Sequence, residues 1–299
     1  MALVLCVGHA VQDFVFAVPR LPDRGEKYRA TGFETVGGGP AATAAVAIAK
    51  LGGRPRLAAR VGDDAIAGVV VDELARYGVD CALVRRFGGC ATSLSAVMVD
   101  AAGERMIVNH LDPRLPREAD WLPDPAELGV AAVLGDVRWP EGSAVALARA
   151  KAAAIPAVLD ADRPIPADGA LLRTATHVAF SADGLADYAA EADPARALER
   201  VGPTLDAWSC VTAGADGVYA WDPRRRRLDH QPAFRVEVVD TLGAGDVWHG
   251  AFALALAEGR AEPEAVRFAQ AAAALKVQRF GGGTGAPTRA DLEAFLETR

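Results

Sequence analysis

The 299 residues are 51% hydrophobic and 24% charged, and the net charge is −7. This composition excludes a disordered chain and disfavours nucleic acid or an anionic membrane surface as the main partner. The four cysteines lack the spacing of metal ligands, and the apolar N-terminal run is too short to span a membrane, so a cytoplasmic protein is expected.

Short apolar runs alternate along the chain with segments of helical periodicity. The runs predict buried strands, and the segments between them predict helices. In chain order, strands are predicted at residues 3–7, 57–61, 131–134, 157–160, 178–181 and 209–212, and helices at residues 41–51, 66–77, 143–153 and 194–205. Strands that alternate with helices indicate right-handed crossovers, so we predict a Rossmann-like three-layer α/β/α fold with a mostly parallel sheet.

Two regions interrupt this alternation. Residues 14–18 with 28–36, and residues 93–99 with 105–110, alternate polar and apolar side chains around turn sequences. This pattern is typical of half-exposed antiparallel strands. We therefore predict a single domain over residues 1–299, in which two inserted segments, about 14–36 and 92–111, form a small antiparallel β lid over the ligand-binding edge of the sheet.

A run of small residues, Gly243, Ala244 and Gly245, follows a predicted strand at residues 234–239 and precedes a predicted helix at residues 247–257. Unpaired backbone N–H groups and the helix dipole make such a helix N-terminus an anion site. Asp246 lies in the first turn, where a carboxylate beside a phosphate suits phosphoryl transfer to an alcohol, and the dipole is expected to keep it ionised. The alternative is that Asp246 only complements the dipole.

Residues 240–246, DTLGAGD, resemble the DTxGAGD signature of the ribokinase, or PfkB, family of carbohydrate kinases. Three further features agree with that family in order and spacing. Asp13 follows the first strand, glycines 37–39 precede an alanine-rich helix, and residues 211–217, VTAGADG, are similar to the family's TxGxxG nucleotide loop. The resemblance extends over essentially the whole chain and implies a ribokinase-type fold.

The same resemblance implies roles for individual residues. Asp246 is the implied catalytic base. Mg²⁺ is implied to arrive bound to ATP, and a monovalent cation such as K⁺ to bind near Asp240. The implied phosphoryl site is the backbone of Gly243, Ala244 and Gly245; the implied ATP site comprises Thr212, Gly214, Gly217, Ala273 and Lys276; the implied sugar site comprises Asp13, Gly38, Gly39 and Thr43.

Two positions depart from the family pattern. Thr43 stands where an Asn commonly contacts the sugar, and residues 181–184, SADG, replace an NxxE motif associated with the magnesium and phosphate region. Both departures leave the implied base and anion site intact. They bear on the identity of the sugar and on the surroundings of the magnesium ion.

Basic side chains and a closer resemblance indicate the sugar. Lys27 and Asn109 lie on the predicted lid, and Arg138 follows a predicted strand. The charges of Lys27 and Arg138 suit a common anionic substituent; the alternative is that Lys27 is solvated and Arg138 pairs with Asp136 or Asp160. Residues 36–47, 135–139 and 231–234 are similar to the sulfofructose kinases of this family, which implies conversion of 6-deoxy-6-sulfofructose to its 1-phosphate, with Lys27, Asn109 and Arg138 at the sulfonate. Charge alone fits fructose 6-phosphate equally well, and fructose, ribose and 2-keto-3-deoxygluconate are further alternatives.

Two rival functions belong to other classes. Residues 37–42, GGGPAA, fit a loose dinucleotide fingerprint, but the strand before them is half-exposed, which disfavours an NAD-dependent dehydrogenase. A non-catalytic sugar or nucleotide sensor on the kinase fold stays open, because a fold does not determine a function. Since lid strands of this family frequently pair between subunits, the resemblance also implies a homodimer through the lid, with no nucleic acid or membrane partner.

Overall fold

The computed structural model describes residues 1–101, 103–279 and 281–299. In chain order, the strands are β1 (Leu3–Gly8), β2 (Val11–Ala17), β3 (Gly32–Gly38), β4 (Arg54–Gly62), β5 (Asp80–Phe87), β6 (Leu94–Val99), β7 (Arg105–His110), β8 (Ala132–Asp136), β9 (Ala157–Ala161), β10 (His177–Ser181), β11 (Trp208–Thr212), β12 (Val218–Asp222) and β13 (Arg227–Gln231). The α-helices are α1 (Pro40–Lys50), α2 (Ala65–Arg76), α3 (Pro140–Ala152), α4 (Ala182–Ala189), α5 (Pro194–Val201), α6 (Ala244–Ala257), α7 (Glu262–Val277) and α8 (Arg289–Glu297).

The larger sheet has nine strands in the order β13-β12-β11-β10-β9-β8-β1-β4-β5, and the strands from β11 to β5 are parallel. Strand β1 shows why helices cover both faces. Its side chains alternate, so that Val4 and Cys6 pack into one core while Leu5 and Val7 pack into the other. Helices α1, α2, α6, α7 and α8 contribute to the first core, and α3, α4 and α5 to the second. The predicted three-layer α/β fold is therefore confirmed.

The smaller sheet has the order β3-β2-β6-β7. Its outer pairs, β3–β2 and β6–β7, are antiparallel, and its central strands β2 and β6 pair in parallel. The chain enters this sheet from the carboxyl end of β1 and leaves it from β3 directly into α1. The small sheet that the sequence predicts therefore exists, and it lies beside the carboxyl edge of the larger sheet.

Most predicted elements are confirmed, and two differ. The six predicted core strands and the four predicted helices all form, whereas the lid strand predicted at residues 28–36 begins only at Gly32. The strand predicted at residues 234–239 does not form, so this prediction is wrong. The backbone N–H of Val239 donates to the carbonyl of Val277 at the end of α7 (2.7 Å), so this segment bonds to a helix terminus and not to a neighbouring strand.

Candidate functional site

The candidate residues cluster where the parallel strands end. Strands β1, β8, β9, β10 and β11 run in one direction, so their carboxyl ends share an edge, where open α/β sheets form ligand crevices. Asp136 ends β8 and is buried. Its carboxylate accepts three backbone N–H groups at 2.8 to 3.1 Å, those of His9, Ala41 and Arg138. One carboxylate thus ties together the end of β1, the start of α1 and the segment after β8.

Helix α6 begins at the run of small residues. Gly243 is its N-cap, with a φ of 73° that lies in the left-handed region favoured by glycine. A Cβ at Gly245 would meet nothing within 4 Å, so the space beside this turn is open. The N–H of Ala244, predicted to face an anion, instead donates to the carbonyl of Thr241 (3.2 Å). The other N–H groups of the first turn have no partner within the helix, which leaves Gly243 and Gly245 as the better anion donors.

Asp246 lies in the first turn of α6 and is half-buried. Burial, followed by the negative charge of Asp160, raises the pKa of the Asp246 carboxyl to about 7. Desolvation therefore opposes the helix dipole, which was expected to keep Asp246 ionised. A carboxyl that titrates near neutrality is suited to accept a proton from a hydroxyl group.

A buried histidine and a buried acid lie behind Asp246. His249 Nδ1 is 3.4 Å from Asp160 Oδ2, and His249 Nε2 is 3.3 Å from the carbonyl oxygen of Ala179. Because a carbonyl only accepts, Nε2 carries the ring proton. Burial lowers the pKa of His249 and raises that of Asp160, since it disfavours the charged form of both. The spacing of three residues from Asp246 on one helix was the only sequence signal for His249.

A cleft of about 410 Å³ adjoins the N-terminus of α6. Val238 adds apolar surface to it and is 59% exposed. Four of the five residues predicted to bind a nucleotide line this cleft together with part of the predicted phosphoryl site; they are Thr212, Gly214, Gly217 and Ala273, beside Ala244 and Gly245.

Asp13 and the glycines after β3 pack against each other. A Cβ at Gly38 would lie 2.1 Å from Asp13 Oδ2, so the carboxylate occupies the place of a side chain. Gly39 has a φ of 93° and faces the carbonyl of His9, which excludes a side chain there as well. Burial raises the pKa of Asp13 to about 6. The structure therefore joins Asp13, Gly38 and Gly39 in one polar corner at the start of α1.

Thr43 connects that corner to the N-terminus of α6. It is buried in α1, and its methyl carbon is 3.3 Å from the position of a Cβ at Gly243 and 3.0 Å from that of a Cβ at Gly283. The methyl group thus packs against the glycines of both loops. The sequence predicted that Thr43 contacts the sugar. It did not predict that Thr43 also packs against the turn at residues 243–245, which we call the phosphoryl turn.

Arg138 is the one residue of the predicted anion-binding trio that lines a cavity at this edge. The cavity measures about 330 Å³, and Arg60 and Arg117 also line it. Arg138 Nη2 pairs with Asp162 Oδ2 at 3.1 Å. Among the residues that the structure describes, Lys27 and Asn109 do not line this cavity with Arg138, and a common anion site for the three residues stays a prediction.

The two other members of the trio belong to the smaller sheet and its connecting loop. Lys27 is exposed in the loop between β2 and β3. Asn109 lies on β7, and its side-chain amide donates to the hydroxyl groups of Ser93 (3.3 Å) and Ser95 (3.1 Å) near β6. The amide of Asn109 therefore holds two lid strands together.

Arg60 is a functional candidate that the sequence did not reveal. Its guanidinium stacks on Trp139 at 4.7 Å and donates to the carbonyl of Pro116 at 2.8 Å. Burial lowers the pKa of Arg60. Burial, then Arg138 and Arg60, lower the pKa of His9 to about 4, which places both guanidinium groups near the end of β1. The position of Arg60 at the end of a predicted strand was its only signal.

Residues 1–289 match the profile of the pfkB family carbohydrate kinases. The chain belongs to the PfkB family. The ribokinase of Bacillus subtilis (strain 168) is 31% identical over 99% of this chain and 100% of its own length. A putative ribokinase from Agrobacterium tumefaciens has a TM-score of 0.94 at 36% identity, covering 99% of this chain and 98% of that one. Arabidopsis thaliana ribokinase, solved with ribose and ATP, has a TM-score of 0.85 at 26% identity, covering 99% of each chain.

Membership of the PfkB family makes the protein a carbohydrate kinase, an enzyme that transfers a phosphoryl group. Two residues with separate predicted roles contact each other. Lys276 Nζ binds Asp240 Oδ2 at 2.9 Å, and Lys276 does not line the 410 Å³ cleft. The sequence predicted a monovalent cation near Asp240 and the adenine near Lys276, and both roles stay predictions.

Residues 181–184, which differ from the NxxE motif of the PfkB family, form the start of helix α4. Ser181 is the N-cap of α4: its hydroxyl oxygen accepts the N–H of Gly184 (2.9 Å), and its hydroxyl donates to Asp162 (2.9 Å).

Residues 1–101, 103–279 and 281–299 include no group of three or more His, Cys, Asp or Glu side chains that could hold a metal ion. Over the same residues, none of the helices has the length and hydropathy needed to cross a bilayer.

Proposed function

We propose that this kinase transfers the γ-phosphoryl group of ATP to a primary hydroxyl of a small sugar that carries an anionic substituent, with 6-deoxy-6-sulfofructose as the leading candidate. The observation that carries the proposal is the cavity lined by Arg60, Arg117 and Arg138. Arg138 pairs with Asp162, and the charge of Asp162 contributes to the raised pKa of Asp246, so the cavity and the proposed base share a charged neighbour.

The charges around the cavity favour an anion. Its lining holds two carboxylates beside the three guanidinium groups. Asp112 is paired with Arg114 outside that set (2.6 Å), and Glu141 is 3.8 Å from Arg117. Arg60 donates to a neutral carbonyl oxygen, and Glu141 and Asp136 are the carboxylates near enough to raise its pKa. Guanidinium forks match the oxygens of a sulfonate or a phosphate group.

The 410 Å³ cleft is proposed as the ATP site. Its volume lies within the range of small-molecule sites, about 300 to 1,000 Å³. The loop that contains Thr212 and Gly214 lines one part of it, and Gly245 at the start of α6 lines another. A nucleotide along this cleft would point its phosphates at the helix N-terminus, where N–H groups and the dipole attract them.

The proposed reaction uses Asp246 as the base. Asp246 accepts the proton of the sugar hydroxyl while that oxygen forms a bond to the γ-phosphorus and the bond to the β-phosphate oxygen breaks, which releases ADP. The N–H groups of Gly243 and Gly245 stabilise the charge on the transferring group. Mg²⁺ bound to the nucleotide supplies neutralisation of the phosphate charge, and no protein cage of carboxylates is needed for it.

The test compares an anionic sugar with its neutral counterpart in the variant Arg138→Gln. We expect the KM for fructose 6-phosphate or 6-deoxy-6-sulfofructose to rise at least about tenfold, whereas the KM for fructose changes little, because a hydrogen bond to a charged group contributes about 1.5 to 3 kcal/mol. Arg163→Gln is the matched control, since Arg163 follows Asp162 but pairs with Asp183 on the surface. Equal losses for both sugars would overturn the anion site.

We also propose that the protein is a homodimer in which the smaller sheet pairs with that of a second copy. Large apolar side chains are exposed on its edge strands β3 and β7: Phe33 (56%), Ile107 (52%) and Val108 (61%). Phe33 also packs against Phe16, with ring centroids 5.1 Å apart and ring planes tilted by 41°, which makes the apolar surface continuous across two strands. A second lid is the partner whose surface has the same character.

A further inference from the structure

Lys276 is a fully buried lysine on α7, one of the most costly residues to bury. Its ammonium group is surrounded by oxygen atoms: Asp240 Oδ2 at 2.9 Å, the Asp240 carbonyl at 3.0 Å and the Arg279 carbonyl at 3.4 Å. A carboxylate and backbone carbonyls are also the ligands that a hard cation selects. The ammonium therefore occupies a place built for a positive charge.

The Asp240 carboxylate is engaged on every side that the structure describes. Oδ1 accepts the N–H of Leu242 at 2.8 Å, and Oδ2 accepts both the N–H of Gly281 at 3.0 Å and Lys276 Nζ. The residues present therefore do not fit the monovalent cation expected beside Asp240, because the ligand atoms already hold a charge of the same sign.

We infer that the Lys276 ammonium is a built-in replacement for a monovalent cation, so that phosphoryl transfer in this enzyme does not depend on K⁺. The inference rests on the proposed function for the reaction that it supports. Lys276 is then a positioning residue, which acts on the reacting groups through Asp240.

The contacts connect Lys276 to the phosphoryl turn in two ways. On one side, Asp240 holds Leu242, the residue before the N-cap Gly243. On the other side, Asp240 holds Gly281, which begins the loop that packs on Thr43 and Gly243 through Gly282 and Gly283.

A second lysine acts on the same loop. Lys50 Nζ at the end of α1 donates to the carbonyl of Thr284 at 2.5 Å. Two ammonium groups of the chain thus fix the backbone carbonyls and the carboxylate around this loop. A free ion is not required to order it.

The inference predicts how the wild-type enzyme responds to salts. We expect the rate with Mg-ATP and the Kd for ATP to agree within about twofold in the chlorides of K⁺, Na⁺ and N-methylglucamine at equal ionic strength, so that screening is constant. The thermal midpoint is also expected to be the same in the three salts, because no ion binds specifically. A K⁺-specific rise in rate, ATP affinity or midpoint would overturn the inference.

The variant Lys276→Met supplies the complementary test. It removes the ammonium and leaves Asp240 with its surrounding carbonyls, which is a vacant cation site of negative charge. We expect a lower kcat and a lower thermal midpoint in N-methylglucamine, with recovery of both in K⁺. Lys151→Met is the matched control, because Lys151 Nζ contacts only backbone carbonyls of Arg173 and Asp206 near the surface, and it should gain no K⁺ response.

The two hypotheses fail separately. If no sugar is phosphorylated, the proposed function is wrong, whereas the thermal midpoints of the wild type in the three salts still test the inference. A folded Lys276→Met that gains no K⁺ response would overturn it. If this variant does not fold in any salt, the salt response of the wild-type enzyme decides the question alone.

Discussion

The carboxyl group of Asp246 must be ionised to accept a proton, and its pKa of about 7 determines when it is. Burial and the charge of Asp160 both disfavour the anion, so the acid form accumulates as the pH falls below about 7. We expect kcat/KM for the sugar to be low on the acid side and to rise through neutrality to a plateau.

The profile is measured from initial rates with Mg-ATP at saturation. The variant Asp246→Ala should lack this acid limb and lose about 10² to 10⁴ in kcat, the usual contribution of a general base, while its sugar Kd stays close to that of the wild type. Asp183→Ala is a control, because Asp183 is exposed and pairs with Arg163. A flat wild-type profile, or an unchanged kcat in Asp246→Ala, would remove Asp246 as the base.

Some site residues could be predicted from sequence motifs, and others could not. Asp13, Thr212 and Asp246 carry motif signals, because their chemistry depends on a fixed order of residue types. Arg60 and the pairing of Lys276 with Asp240 carry none, since they depend on burial and on contacts between elements that are distant in the sequence. Burial also changed the predicted ionisation of Asp246, because a local rule about helix dipoles does not include desolvation.

The junction of β3 with α1, at Gly38 and Gly39, leads to a prediction about sugar binding. A Cβ at Gly38 would lie 2.1 Å from Asp13 Oδ2, so Gly38→Ala must displace that carboxylate. We expect the sugar KM to rise by about tenfold or more with little change in the ATP KM, because a displacement of about 1 Å at a positioning residue is costly. Initial-rate kinetics with either substrate varied would show this.

Gly88→Ala is the matched control, since a Cβ at Gly88 meets nothing within 4 Å. It should leave both KM values unchanged. Equal increases of the two KM values in Gly38→Ala would contradict an effect confined to the polar corner of Asp13, Gly38 and Gly39.

Strands whose side chains are buried on both faces could be predicted from the sequence, whereas strands at the edge of the sheet could not. The apolar runs of β1, β8 and β9 are buried on both faces, and the sequence shows them directly. The edge strand β5, with Arg85 and Arg86 in its second half, has no such run. Residues 234–239 alternate like a strand, but their partner is the end of α7, which no local pattern encodes.

For the molecule as a whole, the fold and the family follow from the sequence, because strands and helices alternate over nearly the whole chain and residues 240–246 form one long motif. The gathering of charges around one cavity does not, because it depends on how β4 and the segments after β7 and β8 meet. Lys27 and Asn109 show this limit, since both have suitable chemistry and neither lines the cavity with Arg138.

The lid surface gives a prediction for the assembly. Phe33→Asp places a charge in the exposed apolar surface of the smaller sheet and is expected to convert a dimer into a monomer, as measured by light scattering during size exclusion. Val69→Asp is the control, because Val69 is equally exposed (50%) but lies on α2. A monomeric wild type, or a Phe33→Asp variant that stays dimeric, would contradict assembly through the lid.

The most direct test of the central claim is the rate of ADP release from Mg-ATP by the wild-type enzyme with 6-deoxy-6-sulfofructose, fructose 6-phosphate, fructose and ribose presented side by side. We expect an anionic sugar, foremost the sulfonate, to have a higher kcat/KM than either neutral sugar, and we expect Asp246→Ala to lose most of that rate. A preference for fructose or ribose would contradict the anion site and retain the kinase, whereas binding of these sugars without any ADP release would favour a sensor on the kinase fold.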